Sequence, residues 1–347
     1  MRSSALARVS FLVVFVLPMA CSDDPSGSDP SSASSGAGGT TDGPSSATDD
    51  PDPTAGPTGT TSTTSTAPDT SADEGTGPDA CIDPVEAQCL PSRGVISTDQ
   101  LEGFLGSADL VIVDTRVESD FITAHIPGAV RIDPTALRGN VDGVGGQVAP
   151  EPESRAVFEA AGLTPDVAVL TYGSGNGTDP ARVLWTLAYY GHEGPLWMLD
   201  GGFDQWSTEG RATEVEITPP VPSTYPTAIT EGLRVDQPWV LDHLDDPAVT
   251  LVDARSSGEY DDGHIPGALS VDWTRNLGPD GRFLDLGELR ALYDDPVASQ
   301  TLVSYCQTGS RASVDWLVLA WLGYADVRLY DGSWAEWSAD PSNPVEP

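Results

Sequence analysis

Apolar residues in this chain fall in short unbroken runs rather than in alternation. Leu-Val-Ile-Val at residues 110–113 leads into Asp114, and similar runs occupy 130–132, 167–172, 196–199, 251–253, 301–305 and 327–330. Continuous apolar runs of this length are the signature of strands buried on both faces, as in parallel sheets. Between them the spacing changes to the helical period at 153–161, 180–190, 286–293 and 312–322, and another helix opens at 237–244. Ser97-Thr98-Asp99-Gln100, just before Leu101 and Phe104, has the form of a capping box. Strands alternating with helices predict an α/β chain with mainly parallel central sheets flanked by helices.

The order of elements occurs twice. Asp114-Thr115-Arg116 matches Asp253-Ala254-Arg255, and nine residues after each arginine stands His-Ile-Pro-Gly-Ala, beginning at His125 and His264. Asp133 and Asp272 follow at equal distances. Asp200-Gly201-Gly202 with Trp206 near the end of one copy matches Asp331-Gly332-Ser333 with Trp337 in the other. Copies of this length are domains, not solenoid repeats. The expected organisation is a first domain at 90–213, a Pro- and Thr-rich linker at 214–226 and a second domain at 227–340. Both histidines are expected to position a turn, because each copy keeps one, and the tryptophans are expected to pack.

Composition adds two constraints. Among 347 residues there are 53 acidic and 16 basic ones, for a net charge of −37, and every basic residue is arginine. Such a surface excludes nucleic acid and anionic lipid head groups as partners. An anionic small molecule would need particular arginines and N–H groups. Residues 22–80 hold eleven acidic side chains, no basic one and almost no large apolar one, which predicts a disordered Ser/Thr/Pro/Asp-rich tether across 21–80.

The first twenty residues read as an export signal, with Arg2 and Arg8 before an apolar run at 9–17 that is too short to span a bilayer. Pro18-Met19-Ala20-Cys21 resembles the lipobox of bacterial lipoproteins, with Leu17 one place early and Pro18 in its slot. The expectation is lipid attachment at Cys21 and anchoring at the cell envelope, periplasmic or cell-surface; ordinary cleavage after Ala20 is the alternative. In an exported chain Cys81 and Cys89 read as a local disulfide, with a metal pair as the other reading.

Cys306 is then left unpaired. It ends an apolar run and precedes Gln307-Thr308-Gly309-Ser310-Arg311, after which a helical pattern begins at Ala312. A thiol at a strand tip, before a glycine-bearing loop feeding a helix N-terminus, faces backbone N–H groups and the positive end of a helix dipole, and these stabilise an anionic sulfur. The alternative is an inert core cysteine.

Asp-x-Arg at a strand end, His-Ile-Pro-Gly-Ala, the cysteine loop and Asp-Gly-Gly-x-x-x-Trp, in that order and twice over, resemble the rhodanese family and its two-domain sulfurtransferases. The resemblance covers about residues 90–337. It implies two rhodanese-like domains, the second carrying the reactive cysteine and the first empty; Gly173 indeed stands where Cys306 stands. It implies that Cys306 takes a sulfane sulfur from a small anionic donor as a persulfide and passes it to cyanide or a thiol. Thiosulfate is the favoured donor and 3-mercaptopyruvate the alternative. Loop residues Gln307, Thr308, Gly309, Ser310 and Arg311 would hold the donor, and the resemblance puts Arg255 near its oxyanion, unless Arg255 pairs with an acid such as Glu259. No cofactor and no metal is implied. Four residues separate Cys306 from Arg311, one fewer than in cysteine phosphatases, so the loop is small for a phosphate. A non-enzymatic sulfur carrier or binding module is the reading from a different class.

Overall fold

The computed structural model describes residues 90–294, 296 and 300–347, all within one compact unit. The export signal, Cys21, the tether and the Cys81–Cys89 pair lie outside the described residues.

The first domain runs β1 (Arg93–Ile96), α1 (Thr98–Phe104), β2 (Leu110–Asp114), α2 (Glu118–Thr123), β3 (Val130–Arg131), a 3-10 turn (Pro134–Leu137), β4 (Arg138–Val141), β5 (Val144–Val148), α3 (Glu151–Ala160), β6 (Ala168–Tyr172), α4 (Thr178–Tyr189), β7 (Leu196–Leu199) and α5 (Gly202–Thr208). The second runs β8 (Arg234–Val235), α6 (Gln237–Asp242), β9 (Val249–Asp253), α7 (Ser257–Asp261), β10 (Leu269–Ser270), a 3-10 turn (Trp273–Asn276), α8 (Leu286–Leu292), β11 (Thr301–Tyr305), α9 (Ala312–Trp321), β12 (Val327–Tyr330) and α10 (Ser333–Trp337). Each forms a five-stranded sheet, in the orders β1-β7-β6-β2-β3 and β8-β12-β11-β9-β10. All pairings in both are parallel. The expected α/β class holds, and the two sheets have the same topology.

Local chemistry explains the main elements. The Ser97 hydroxyl accepts from the Gln100 N–H while the Gln100 side chain accepts from the Ser97 N–H, so the capping box opens α1 as read. Central strands β6 and β11 are buried along most of their length, which is why their residues form unbroken apolar runs. Helix α9 is buried at every position from Ala312 to Leu319, and α4 is buried from Pro180 to Tyr189. These two helices pack on each other and join the two domains in one apolar core.

Two features were not foreseen. The β4–β5 hairpin is antiparallel, glycine-rich and unmatched in the second domain, where a single bridge, Leu277 with Phe283, takes its place. The 214–226 segment is more than a spacer. Tyr225 in it is fully buried against Phe158, and its hydroxyl meets His192 Nδ1 at 2.9 Å.

Candidate active site

The cysteine loop begins where β11 ends. Asp253 and Tyr305 are register partners at the carboxyl ends of β9 and β11, so the Asp-Ala-Arg motif and the cysteine emerge side by side. Carboxyl ends of parallel strands are where open α/β sheets bind ligands. Cys306 is free and buried, and its sulfur receives the Gly309 N–H at 3.1 Å. Gly309 takes φ +87°, a left-handed conformation that glycine reaches without strain. Among the described residues, the N–H groups of Gln307, Thr308, Ser310 and Arg311 have no protein acceptor. Gln307 is exposed and Thr308 and Ser310 are half-buried, so this ring of donors, closing on the N-terminus of α9, borders solvent.

The two arginines part company. Arg311 holds Glu259 in a two-pronged pair at 2.7 and 2.8 Å and lies within interaction range of the Cys306 sulfur. The Glu259 contact, outweighing partial burial and joined by the sulfur, raises the Arg311 pKa, and Arg311 in turn holds Glu259 at about 2. Arg255 is 2% exposed and closes on its own motif. It donates to both Asp253 oxygens at 2.6–3.0 Å and to the Gly263 carbonyl at 2.8 Å, with its guanidinium over Trp334 at 4.4 Å. Burial opposes the charge, but the Asp253 carboxylate more than offsets it, and the pKa is raised. Arg255 thus engages Nε and Nη2 inside the fold, as its pairing alternative expected, and Nη1 has no protein acceptor among the described residues. Its acid is Asp253, and Glu259 serves Arg311 instead. Arg116 repeats the arrangement in the first domain, with Asp114 and the Ala124 carbonyl.

Both histidines do what a turn requires. His125 and His264 donate through Nδ1 to the carbonyl four residues earlier, at 2.8 and 3.1 Å, and stack on Phe121 and Tyr260. Trp337 is fully buried, and Trp334 covers Arg255.

Ser333 was missed. It sits at φ +54°, in a region costly for a residue with a side chain. Its hydroxyl accepts the Cys306 N–H at 3.2 Å and donates to the Tyr330 carbonyl at 2.8 Å. The matching residue of the first domain is Gly202, where a Cβ would lie 2.7 Å from the carbonyls of Gly173 and Ser174. The difference between Asp-Gly-Gly and Asp-Gly-Ser was the visible signal. A cavity of about 380 Å³ lined by Tyr189, Arg234, Trp239 and Arg328 includes none of the loop residues 306–311. No group of three metal-ligating side chains occurs among the described residues.

Comparison with known proteins agrees with this geometry. The chain is 34% identical over 290 residues to a thiosulfate sulfurtransferase of Corynebacterium glutamicum, covering 75% of this chain and 92% of that protein. It is 33% identical to the sulfur carrier protein TtuD of Thermus thermophilus, over 70% and 93%. It is 31% identical to a Pseudomonas aeruginosa protein described as a probable 3-mercaptopyruvate sulfurtransferase, over 74% and 99%. In fold it is similar to the anaerobic ergothioneine biosynthesis enzyme from Chlorobium limicola, with a TM-score of 0.65 at 24% identity over 74% of this chain and 70% of that one. The rhodanese-like domain matches residues 97–209 and again 236–340. With both copies matched and relatives above 30% identity spanning most of its length, the chain belongs to the rhodanese family as a two-domain member.

Proposed function

We propose that the protein transfers sulfane sulfur from thiosulfate, through a persulfide on Cys306, to cyanide or a thiol. The observation that carries this reading is the Cys306 sulfur under the Gly309 N–H, in a loop whose other N–H groups have no protein acceptor among the described residues. The Cys306 thiolate attacks the outer sulfur of thiosulfate. A new S–S bond forms, the S–S bond of thiosulfate breaks, and its electron pair leaves with sulfite. Cyanide then attacks the outer sulfur of the persulfide, giving thiocyanate and returning the thiolate. No proton is transferred in either step, so no general base is required. The N–H donors and the helix dipole stabilise each anion in turn, and Arg311, held in place by Glu259, adds a guanidinium within range of the sulfur.

Steady-state rates with thiosulfate and cyanide should show ping-pong kinetics, with kcat/KM higher for thiosulfate than for 3-mercaptopyruvate. The reverse preference would replace the donor, and the likeness to the Pseudomonas protein makes that comparison necessary. Sulfur loading without turnover to cyanide would favour a carrier, as the Thermus relative is named. We also infer export and lipid anchoring at Cys21, at the cell envelope. Cys21→Ser should move the protein from the membrane fraction to the soluble one, and unchanged fractionation would remove the anchor.

A further inference from the structure

The first domain lacks a thiol, yet it reaches the cysteine loop at two points. Arg182 of α4 is fully buried, and its Nη1 lies 2.7 Å from Asp331 Oδ1, which is also fully buried. Neither atom has an aligned hydrogen bond, so the two meet as charges. The other Asp331 oxygen accepts the Val148 N–H at 2.7 Å and faces Arg234 at 3.5 Å. Gly309 rests on this pair: a Cβ there would stand 2.7 Å from Asp331 Oδ1 and 2.9 Å from Arg182 Nη1. At the second point a Cβ on Gly146, in the β4–β5 hairpin, would stand 2.9 Å from Thr308 Cβ, while the Gly146 carbonyl accepts from Arg182 at 3.3 Å.

The two domains differ here. Asp200, the counterpart of Asp331, is also held from the opposite domain, by Arg282 at 2.8 Å and the Phe283 N–H at 3.1 Å. But Arg182 has no counterpart. Thr171 bonds the Pro180 carbonyl as Ser304 bonds the Ala312 carbonyl, which aligns Arg182 with Val314. The buried arginine is thus present on the one interdomain helix that faces the cysteine. A buried ion pair is weak support for stability, and its best-attested use is to specify one arrangement.

We propose that Arg182 is a positioning residue for the cysteine loop: through Asp331 it holds Gly309, and thereby the N–H that meets the Cys306 sulfur. The thiol-free domain then forms part of the machinery of the other. Arg311 on the loop interacts with the sulfur, and the elements packed about the loop add Glu259 on α7, the Asp253–Arg255 pair after β9, and Arg182 and Arg234 with Asp331 at the end of β12.

The test is the rate at which iodoacetamide alkylates Cys306 across a range of pH in the full chain, alongside thermal melting. Arg182→Met should slow alkylation about tenfold or more near neutral pH and move its pH profile upward, with Arg182→Lys recovering part of the loss. Since Arg182→Met leaves the buried Asp331 with only Arg234, at 3.5 Å, as a charge partner, the double variant Arg182→Met/Asp331→Asn serves as the control for folding. It should melt closer to the unaltered chain and still alkylate slowly. A folded Arg182→Met or double variant with unaltered rate and profile would overturn the proposal. Alkylation needs no sulfur donor, so a chain that alkylates as described but takes no sulfur from thiosulfate would overturn the donor assignment and leave the role of Arg182 standing.

Discussion

Tyr172 and Tyr305 do the same work in their two domains. Each ends the central strand, and each hydroxyl receives an N–H from the His-Ile-Pro-Gly-Ala turn, Ile126 at 3.2 Å and Ile265 at 3.1 Å. One residue later the domains diverge. Gly173 carries no side chain, and its loop runs seven residues to Pro180; Cys306 carries the thiol, and six residues reach Ala312. Asn176 fills the first loop, bonding Asp200 and the Gly281 carbonyl through its amide nitrogen and accepting from the Gly201 N–H. Asp179, at the position of Arg311, is an acid bound to Arg138 at 2.5 Å. Similar backbones thus carry a thiol and an arginine in one half, and in the other an asparagine tied to Asp200 and Gly281 with an acid in the arginine's place. What separates them is the few side chains on the loop and the residue facing it.

The largest expected effect tests that separation directly. Cys306→Ser should reduce sulfur transfer at least about 1,000-fold by removing the nucleophile. Gly173→Cys should not create a second site: its thiol lies in a longer loop with an acid where the other has an arginine. Sulfur loading at residue 173 matching that at 306 would show that the backbone alone suffices.

A matched pair of substitutions comes next. Arg116→Ala and Arg255→Ala each strand a buried aspartate, and each should cost about 3–5 kcal/mol in urea unfolding. Equal losses support the shared structural role. If Arg255→Ala, still folded, loses sulfur transfer far beyond its share of unfolded chain, Arg255 touches the donor after all.

Ser333→Gly copies the first domain's residue into the second. It relieves a strained φ and removes the hydroxyl that holds the Cys306 N–H, so stability should change by no more than about 1 kcal/mol. Activity should nonetheless fall about tenfold in kcat/KM, and unchanged kcat/KM would make the serine incidental.

A last effect, read as a slope with pH rather than as a single loss, concerns Asp315, fully buried on α9 beside Asn276 and Tyr293. Burial raises its pKa from 3.8 to about 8. Between those values the folded chain keeps a proton that the unfolded chain has released. Stability therefore falls as pH rises through this window, by at most roughly 1.4 kcal/mol per pH unit. The difference between the parent chain and Asp315→Asn should carry that slope; a flat difference would mean that Asp315 is ionised when folded.

Most of this architecture could be read from the chain. Buried parallel strands announce themselves as unbroken apolar runs, and the paired motifs at Asp114 and Asp253 mark equivalent strand ends. The Arg255 pairing was also within reach, because residues i and i+2 of an extended segment lie on one side. The Arg311–Glu259 pair was not, its members standing 52 positions apart. The β4–β5 hairpin stayed hidden because Gly139, Gly143, Gly145 and Gly146 interrupt any alternation of apolar and polar residues. Its meaning lies in contacts with Thr308 and Asp331 more than 150 residues away, which no local pattern encodes.

Intact mass of the purified chain after incubation with thiosulfate tests the central claim most directly. The expected result is a gain of one sulfur atom per chain, lost on adding cyanide and not acquired by Cys306→Ser. A chain that gains no sulfur, or a Cys306→Ser variant that gains it equally, would contradict the assignment of sulfur transfer to the cysteine loop.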